Sequence, residues 1–329
     1  MYHQTGAVPR LVCTQGAFGP GSGHPDGRKP VYRHPSDYTL PLMHFTPAVQ
    51  MIREEVIKQV GHPINHCLIQ LYRGGVDYIS EHSDKTLDIV QGSSIVNVSF
   101  GAQRTMRLRT KKSAMTASAD EQKKNERETQ RVPLPHNSMF VFGLESNMRW
   151  LHGVQPDKRR LEERAEEENA FDGMRISLTF RFIGTFLSAD ETRIWGQGAT
   201  VKEAPGSPVI NNTDETAEAV VRAFGKENHS TEFDWDESYG RGFDVHHFRQ
   251  DGNQSPMFFL GDDEQENEEI KMIAEIFGAK HGKPIIVTPP PALKDSKTER
   301  QVAFRDTDAN NTEVEGLRNI VLYMNRYHS

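Results

Sequence analysis

Cysteine is nearly absent from this 329-residue chain, which carries only Cys13 and Cys67. Two thiols cannot build a disulfide framework, so the sequence predicts a fold held by its core in a reducing compartment. Cys67 lies in an apolar run and reads as a small core residue rather than a nucleophile. No apolar run approaches the ~20 residues a membrane span needs, and no membrane partner is expected. Residues 1–30 lack a cationic start followed by an apolar block, so a secretory signal is not expected. These absences point to an intracellular protein of the nucleus or cytoplasm. A strong excess of one charge is missing too. The net charge is −7, with 20 acidic and 24 basic side chains in residues 1–189 but 26 and 15 in residues 190–329. The first half can approach a polyanion, yet +4 is no strong nucleic-acid footprint.

What is present centres on Asn65–Asp84. A strand-like run, Cys67–Tyr72, breaks at Gly74-Gly75 and leads to His82-Ser83-Asp84. Side chains at i and i+2 of an extended chain share a face. An imidazole and a carboxylate so placed can close on one metal ion, and a third imidazole would complete a facial triad suited to non-heme Fe(II). A lone His-x-Asp is weak evidence, because His24-Pro25-Asp26 has the same form within a Gly/Pro-rich loop.

Downstream the chain reads as many short strands. Thr46-Pro47 opens a helix whose stripe is Val49, Ile52, Val56 and Val60, stopped by Gly61. Ser93–Phe100 and Thr105–Arg109 read as strands of a hairpin turned at Gly101-Ala102. On that reading Arg104, Arg107 and Arg109 either follow a phosphate backbone or are simply solvated. Met139–Phe142 and Trp150–Val154 are further strands, the second bearing His152. Polar inserts are expected at 110–131 and 157–172. In Arg175–Phe182, Ile176, Leu178 and Phe180 share one face while Arg175, Ser177, Thr179 and Arg181 share the other. Short strands without regular helices between them predict a mainly β, double-sheet jelly roll. Buried arginines inside it require anionic partners, which a dicarboxylate would supply.

The ordered set Tyr72, His82-x-Asp84, Ser99–Arg104, Trp150-x-His152 and Arg175-x-x-x-Thr179-Phe180-Arg181 resembles the AlkB family of Fe(II)/2-oxoglutarate dioxygenases, in particular its nucleic-acid demethylases. The likeness covers about Pro9 to Phe182. It implies a double-stranded β-helix barrel in which His82, Asp84 and His152 bind Fe(II). Arg175 and Arg181 would grip 2-oxoglutarate, helped by Tyr72, with Trp150 shaping the pocket. It also implies O2-dependent decarboxylation of 2-oxoglutarate to succinate, coupled to hydroxylation of an N-methyl group that then leaves as formaldehyde.

Several positions depart from the family pattern. Gln70 stands where Asn is usual before the tyrosine, and Ser177 where the cofactor strand commonly has Asn. Thr86 replaces the acid that DNA-repair members use to contact a base amine. Tyr32-Arg33-His34 corresponds loosely to their aromatic lid, with His34 in place of one aromatic wall. Thr86, His34 and the acidic tail leave a small-molecule substrate, an amino acid or natural-product intermediate, as the alternative to alkylated DNA or RNA.

The division expected is a catalytic domain at 1–186 and an acidic, partly α/β extension at 187–329 that packs on it or binds a protein partner. Within the extension the sequence predicts helices at Glu215–Phe224, at Glu264–Phe277 (ended by Gly278) and at Glu313–Tyr327. Strands are predicted at Met257–Leu260 and Pro284–Val287, and an ordered loop at Phe233–Phe248.

Overall fold

A computed structural model describes residues 2–3, 6–7, 10–19, 22, 24, 26–34, 40–112, 127–210, 214–246, 257–281, 286–288, 302–305, 313–315, 317, 320 and 321. Its contacts divide the chain into Met1–Arg249 and Gln250–Ser329.

The first unit is built on two sheets, antiparallel apart from one edge pair. The major sheet has six strands in the order Ser138–Gly143, Ser94–Gly101, Arg175–Arg181, His66–Tyr72, Leu11–Gly16 and Leu42–His44. The minor sheet has four: Thr129–Leu134, Arg104–Thr110, Trp150–Val154 and Ile79–His82. Alternation along the strands sorts their side chains. Cys67, Val96, Val98, Leu178 and Phe180 leave the back of the major sheet and pack against Val49 and Val56 of the helix Pro47–Val60. Each such aliphatic side chain contributes about 1.5–3 kcal/mol on burial. Ile95 and Phe142 of the major sheet meet Met106, Leu108 and Leu134 of the minor sheet between the two layers. This is the jelly-roll arrangement, and its sheets do not close into a barrel among the described residues.

The expected hairpin at Gly101-Ala102 is instead a crossover. Ser94–Gly101 pairs within the major sheet and Arg104–Thr110 within the minor one. Gly101 has φ 92°, and a Cβ there would strike the carbonyl of Met174, to which the Ala102 N–H is bonded at 2.7 Å. Only glycine lets the chain turn out of one sheet in so little space. Thr129–Arg131, expected within a polar insert, continue the minor sheet opposite Arg107–Arg109. Residues 113–126 of that insert lie outside the described residues.

Past residue 186 the chain stays with the first unit. Thr185–Leu187 and Arg193–Gly196 lie in a small sheet between Lys29–Pro30 and Ser207–Pro208. The helix predicted at Glu215–Phe224 runs from Asp214 to His229. Inside the stretch expected to be a loop, Trp235–Tyr239 is a short helix capped by Asp234, whose carboxylate accepts the Glu237 N–H at 2.8 Å.

The second unit holds a four-stranded sheet ordered Ile286–Thr288, Met257–Phe259, Ala303–Arg305, Glu313–Glu315. Phe258, Ile270, Ala274, Val302 and Ile320 form its core. Its helix continues through Gly278 to His281, past the predicted end. The closing helix predicted from Glu313 begins later, because Val314 pairs with Phe304 in the sheet. Leu317, Ile320 and Val321 are helical, and residues 322–329 lie outside the described residues.

Candidate metal centre and carboxylate cleft

His82 ends its strand opposite His152, its direct cross-strand partner in the minor sheet. Facing residues of adjacent strands place their side chains on one side of the sheet, and here the two imidazole centroids are 4.4 Å apart. Asp84, two residues on, brings Oδ1 to 3.7 Å from His82 Nε2 and 3.6 Å from His152 Nε2. One ligand atom from each of the three lies within 4.8 Å of the others, a spacing that can hold one metal ion. Residual exposure is 24% for the His82 side chain and 16% for that of His152, so the site opens at its rim. The carbonyl of Ser80 lies 2.8 Å from His82 Nδ1, which assigns the proton there and leaves Nε2 to face Asp84.

Protonation favours a ligand set. Burial, with His152 alongside, drives His82 well below the ordinary imidazole value. Burial lowers His152 as well. Burial alone would raise the Asp84 carboxyl, but Arg181 and the two imidazoles together hold it well below the usual carboxylate range. At neutral pH the set is two neutral imidazoles and one carboxylate, the state metal binding requires.

Arg181 stands across the cleft. Its Nε and NH2 donate to Asp84 Oδ2 at 2.8 and 2.6 Å, and Tyr32 stacks on the guanidinium 4.1 Å from its ring centre. Arg175, at the other end of the same strand and on the same face, is 1% exposed. Its NH2 donates to Ser99 Oγ at 2.8 Å and Asn97 Oδ1 at 3.2 Å, but Nε and NH1 are buried without a hydrogen-bond partner. Arg181 NH1 is left in the same condition. Buried guanidinium N–H groups are costly to leave unpaired, and a carboxylate matches their fork. Leu68, Gln70, Tyr72, Asn97, Ser177 and Thr179 line the cleft between Arg175 and the His82–Asp84–His152 cluster, which encloses about 400 Å³ counting its open mouth. Tyr72 lies beneath Arg175, 5.1 Å from ring centre to guanidinium, and donates to Gln70 Oε1 at 3.4 Å. The donor set suits non-heme iron, and the orphaned arginine N–H groups suit a dicarboxylate.

The tentative substrate residues are placed differently. Trp150 packs against the apolar cluster between the sheets. The Tyr32 hydroxyl accepts the Lys85 N–H at 3.1 Å. His34 is half-buried and close enough to lower the proton affinity of His82. Thr86 is 7% exposed, and its hydroxyl donates to Glu227 Oε1 at 2.5 Å. In the other His-x-Asp triplet the Asp26 carboxylate is taken by Arg28 Nε at 2.8 Å, and the loop closes on itself.

Five residues in and around this site carry little or no signal in the sequence, or a misleading one. Asn97 links Arg175 to Ser177, donating to Ser177 Oγ at 2.7 Å; its place opposite Thr179 in the strand register is the one clue to it. Asn147 donates to the Asp84 carbonyl and accepts the Asp84 N–H, both at 2.9 Å. Glu227 and Asn228 reach the Ser83–Thr86 loop from 141 or more residues downstream, with no local motif to announce them. Arg104, expected to track a phosphate backbone or to be solvated, is instead 6% exposed and donates to the carbonyls of Gly74, Gly75, Asp77 and Gln155.

Comparison with known proteins agrees with this geometry. Residues 1–181 match the model of the 2OG-Fe(II) oxygenase superfamily. Human DNA oxidative demethylase ALKBH2 is 31% identical over 148 residues, 45% of this chain and 51% of that protein. Mouse ALKBH2 is 30% identical over 148 residues, 45% of this chain and 55% of the relative. Human alpha-ketoglutarate-dependent dioxygenase alkB homolog 3 is 27% identical over 143 residues, 44% and 45% of the two chains. The chain thus spans about half the length of these relatives. Sequence and site agree, and the chain belongs to the 2OG-Fe(II) oxygenase superfamily, within its AlkB family.

Proposed function

We propose that this protein is an Fe(II)- and 2-oxoglutarate-dependent dioxygenase that oxidatively demethylates alkylated nucleic acid. One observation carries the reading: the unpartnered Nε and NH1 of buried Arg175 share a cleft with His82, Asp84 and His152. His82, Asp84 and His152 would hold the iron, and bound iron would supply oxygen activation coupled to decarboxylation of the keto-acid. Arg175 would take the distal carboxylate of 2-oxoglutarate, with the Tyr72 hydroxyl and Gln70 amide beside it. Arg181 keeps Asp84 ionised and leaves NH1 for a second anionic group. In sum, 2-oxoglutarate, O2 and an N-methyl base yield succinate, CO2 and an N-hydroxymethyl base, which releases formaldehyde.

The nucleic-acid class is supported by relatives named as DNA oxidative demethylases. Charge on the outer face of the minor sheet, the face away from Met106, Leu108 and the cleft, is a second support. On the strands beside His82 and His152, Arg107 and Arg109 share the single carboxylate of Glu81 at 3.3 and 3.7 Å, with Arg127 in electrostatic reach. One carboxylate among three guanidinium groups leaves a positive surface that can meet phosphates.

The direct experiment loads the protein anaerobically with Fe(II), admits O2 and measures succinate and formaldehyde with 1-methyladenine and 3-methylcytosine oligonucleotides. Equimolar formaldehyde and repaired base are expected. Oligonucleotide binding should weaken steeply with salt, and Arg107→Ala and Arg109→Ala should each make the salt slope shallower by roughly 1, the share of one neutralised phosphate.

One observation favours a second reading, oxidation of a small molecule. The Thr86 hydroxyl is already engaged by Glu227 and offers nothing to a base, and the Tyr32 hydroxyl already accepts the Lys85 N–H. Succinate release stimulated by metabolites, and by no oligonucleotide, would establish that reading instead.

A further inference from the structure

The loop bearing Asp84 has an unusual support. Beyond His82 the strand pairing ends, and four successive backbone N–H groups are taken by side chains. Ser83 N donates to Asn228 Oδ1 at 3.1 Å, Asp84 N to Asn147 Oδ1 at 2.9 Å, Lys85 N to the Tyr32 hydroxyl at 3.1 Å, and Thr86 N to Glu227 Oε1 at 3.0 Å. A loop whose amide groups have no sheet partner takes the conformation those acceptors dictate. Two of the four acceptors are adjacent residues on one helix, Asp214–His229.

That helix is itself fixed. Val220 and Phe224 are buried against Leu87, Phe233 and Tyr239. Tyr239 donates to Glu227 Oε2 at 2.7 Å, and Trp235 Nε1 to the Thr86 carbonyl at 3.3 Å. Lys111, just past the strand beside His152, donates to the Glu227 carbonyl at 2.6 Å. Asn228 Oδ1 also accepts Lys85 Nζ at 2.9 Å, while Lys85 Nζ reaches back to the Ser83 carbonyl at 2.8 Å. Asn228 therefore grips the residues on both sides of Asp84, and Glu227 grips the next one.

We infer that Glu227 and Asn228 are positioning residues for Asp84, so that the helix Asp214–His229 is a working part of the metal site rather than an appendage. This rests on the reading of His82, Asp84 and His152 as a metal centre. Asp84 must meet both imidazoles with Oδ1 while Arg181 holds Oδ2. A carboxylate pulled two ways tolerates little drift of its own backbone. Losing an outer partner of a ligand typically weakens metal affinity about 10- to 100-fold.

The test uses the full chain and Co(II) as the probe, titrated by its d–d absorption, with the unfolding midpoint of metal-free protein as control. Asn228→Leu and the milder Asn228→Ala remove the acceptor, and Asn228→Asp restores it. Both deletions should weaken Co(II) binding about 10- to 100-fold and alter the band shape, while Asn228→Asp returns affinity to within about threefold of wild type. Glu227→Met should act in the same direction. Wild-type affinity in Asn228→Ala, or a loss that Asn228→Asp leaves unrepaired, overturns the inference. Failure of a different kind is separately visible. If wild-type protein takes up no Co(II), or His82→Ala takes it up equally, the metal-centre reading falls and this inference with it.

Discussion

Arg181 and Asp84 meet through a single oxygen: Nε and NH2 of the guanidinium both reach Oδ2, at 2.8 and 2.6 Å, and Oδ1 is left to the two histidines. Both side chains are 3% exposed. The division of the carboxylate would let one residue serve a charge partner and a metal together. It also makes the pair expensive to break.

Arg181→Met strands a buried carboxylate and removes the cation beneath Tyr32. Breaking such a pair from one side costs about 3–5 kcal/mol. Urea denaturation of metal-free protein should show that loss, and Arg181→Lys should recover part of it, because an ammonium cannot present two donors in one plane. A change under about 1 kcal/mol would mean that the pair behaves as a solvated one.

Arg175 should separate co-substrate from metal. Its Nε and NH1 have no hydrogen-bond partner in the protein, so its removal costs the fold the NH2 bonds to Ser99 and Asn97 but takes more from a bound carboxylate. Truncating one side of a buried charge pair costs about 2–5 kcal/mol, so Arg175→Met should weaken 2-oxoglutarate binding at least about 30-fold. Co(II) affinity should stay within about threefold of wild type. Calorimetry on Co(II)-loaded protein reads the first and metal titration the second. Equal losses of both would put Arg175 in the metal site instead.

Acid should destabilise the protein early. Burial, with Arg181 opposite, pushes His66 down to about 3. The unfolded chain binds that proton near 6.5 and the folded chain does not. Stability is therefore untouched above about 6.5 and falls by about 1.4 kcal/mol per pH unit below it, until the folded value is reached. His82 and His152, also depressed, act in the same direction. Asp84 adds stability above about 3.8 that is lost as pH falls below that value. Denaturation of metal-free protein at pH 7, 6 and 5 should show the decline, and His66→Gln should make it shallower by about one proton. Constant stability over that range would show that these imidazoles are not buried neutral.

Much of the site is legible in the sequence because strand geometry is local. The alternation of Arg175, Ser177, Thr179 and Arg181 on one face is written in seven consecutive residues, and His82-x-Asp84 in three. The sheet assignment is not legible. Ser94–Gly101 and Arg104–Thr110 look like hairpin partners, and only the close approach of Met174 to Gly101, from far along the chain, shows why the backbone changes sheets. Arg104 is hidden for the same reason, since its four carbonyl partners come from two loops elsewhere in the chain. Asn228 and Glu227 sit on a helix of ordinary amphipathic pattern, and nothing near them points to residues 83–86. Propensity sets the elements; the contacts that hold a ligand loop are long-range.

Thr86 supplies the sharpest contrast between the two levels. In sequence it occupies the place where family members with DNA-repair activity carry an acid, two residues beyond Asp84, and that place reads as substrate pocket. In the structure its hydroxyl and N–H both serve Glu227, whose carboxyl is raised by burial against the opposing pull of Lys85, Thr86 and Tyr239. Thr86→Val keeps the shape and deletes the hydroxyl. Glu227 then loses a donor it cannot replace from water, a loss of about 1–3 kcal/mol in stability. Substrate preference should stay as in wild type, because the deleted group faces a protein carboxylate. A residue lining the substrate pocket would show the reverse, with selectivity or KM changed and stability kept. Thermal unfolding and a substrate panel on the same preparation decide between them. Thr86→Asp should be worse than Thr86→Val in stability, since it sets a second carboxylate against Glu227 at hydrogen-bond distance.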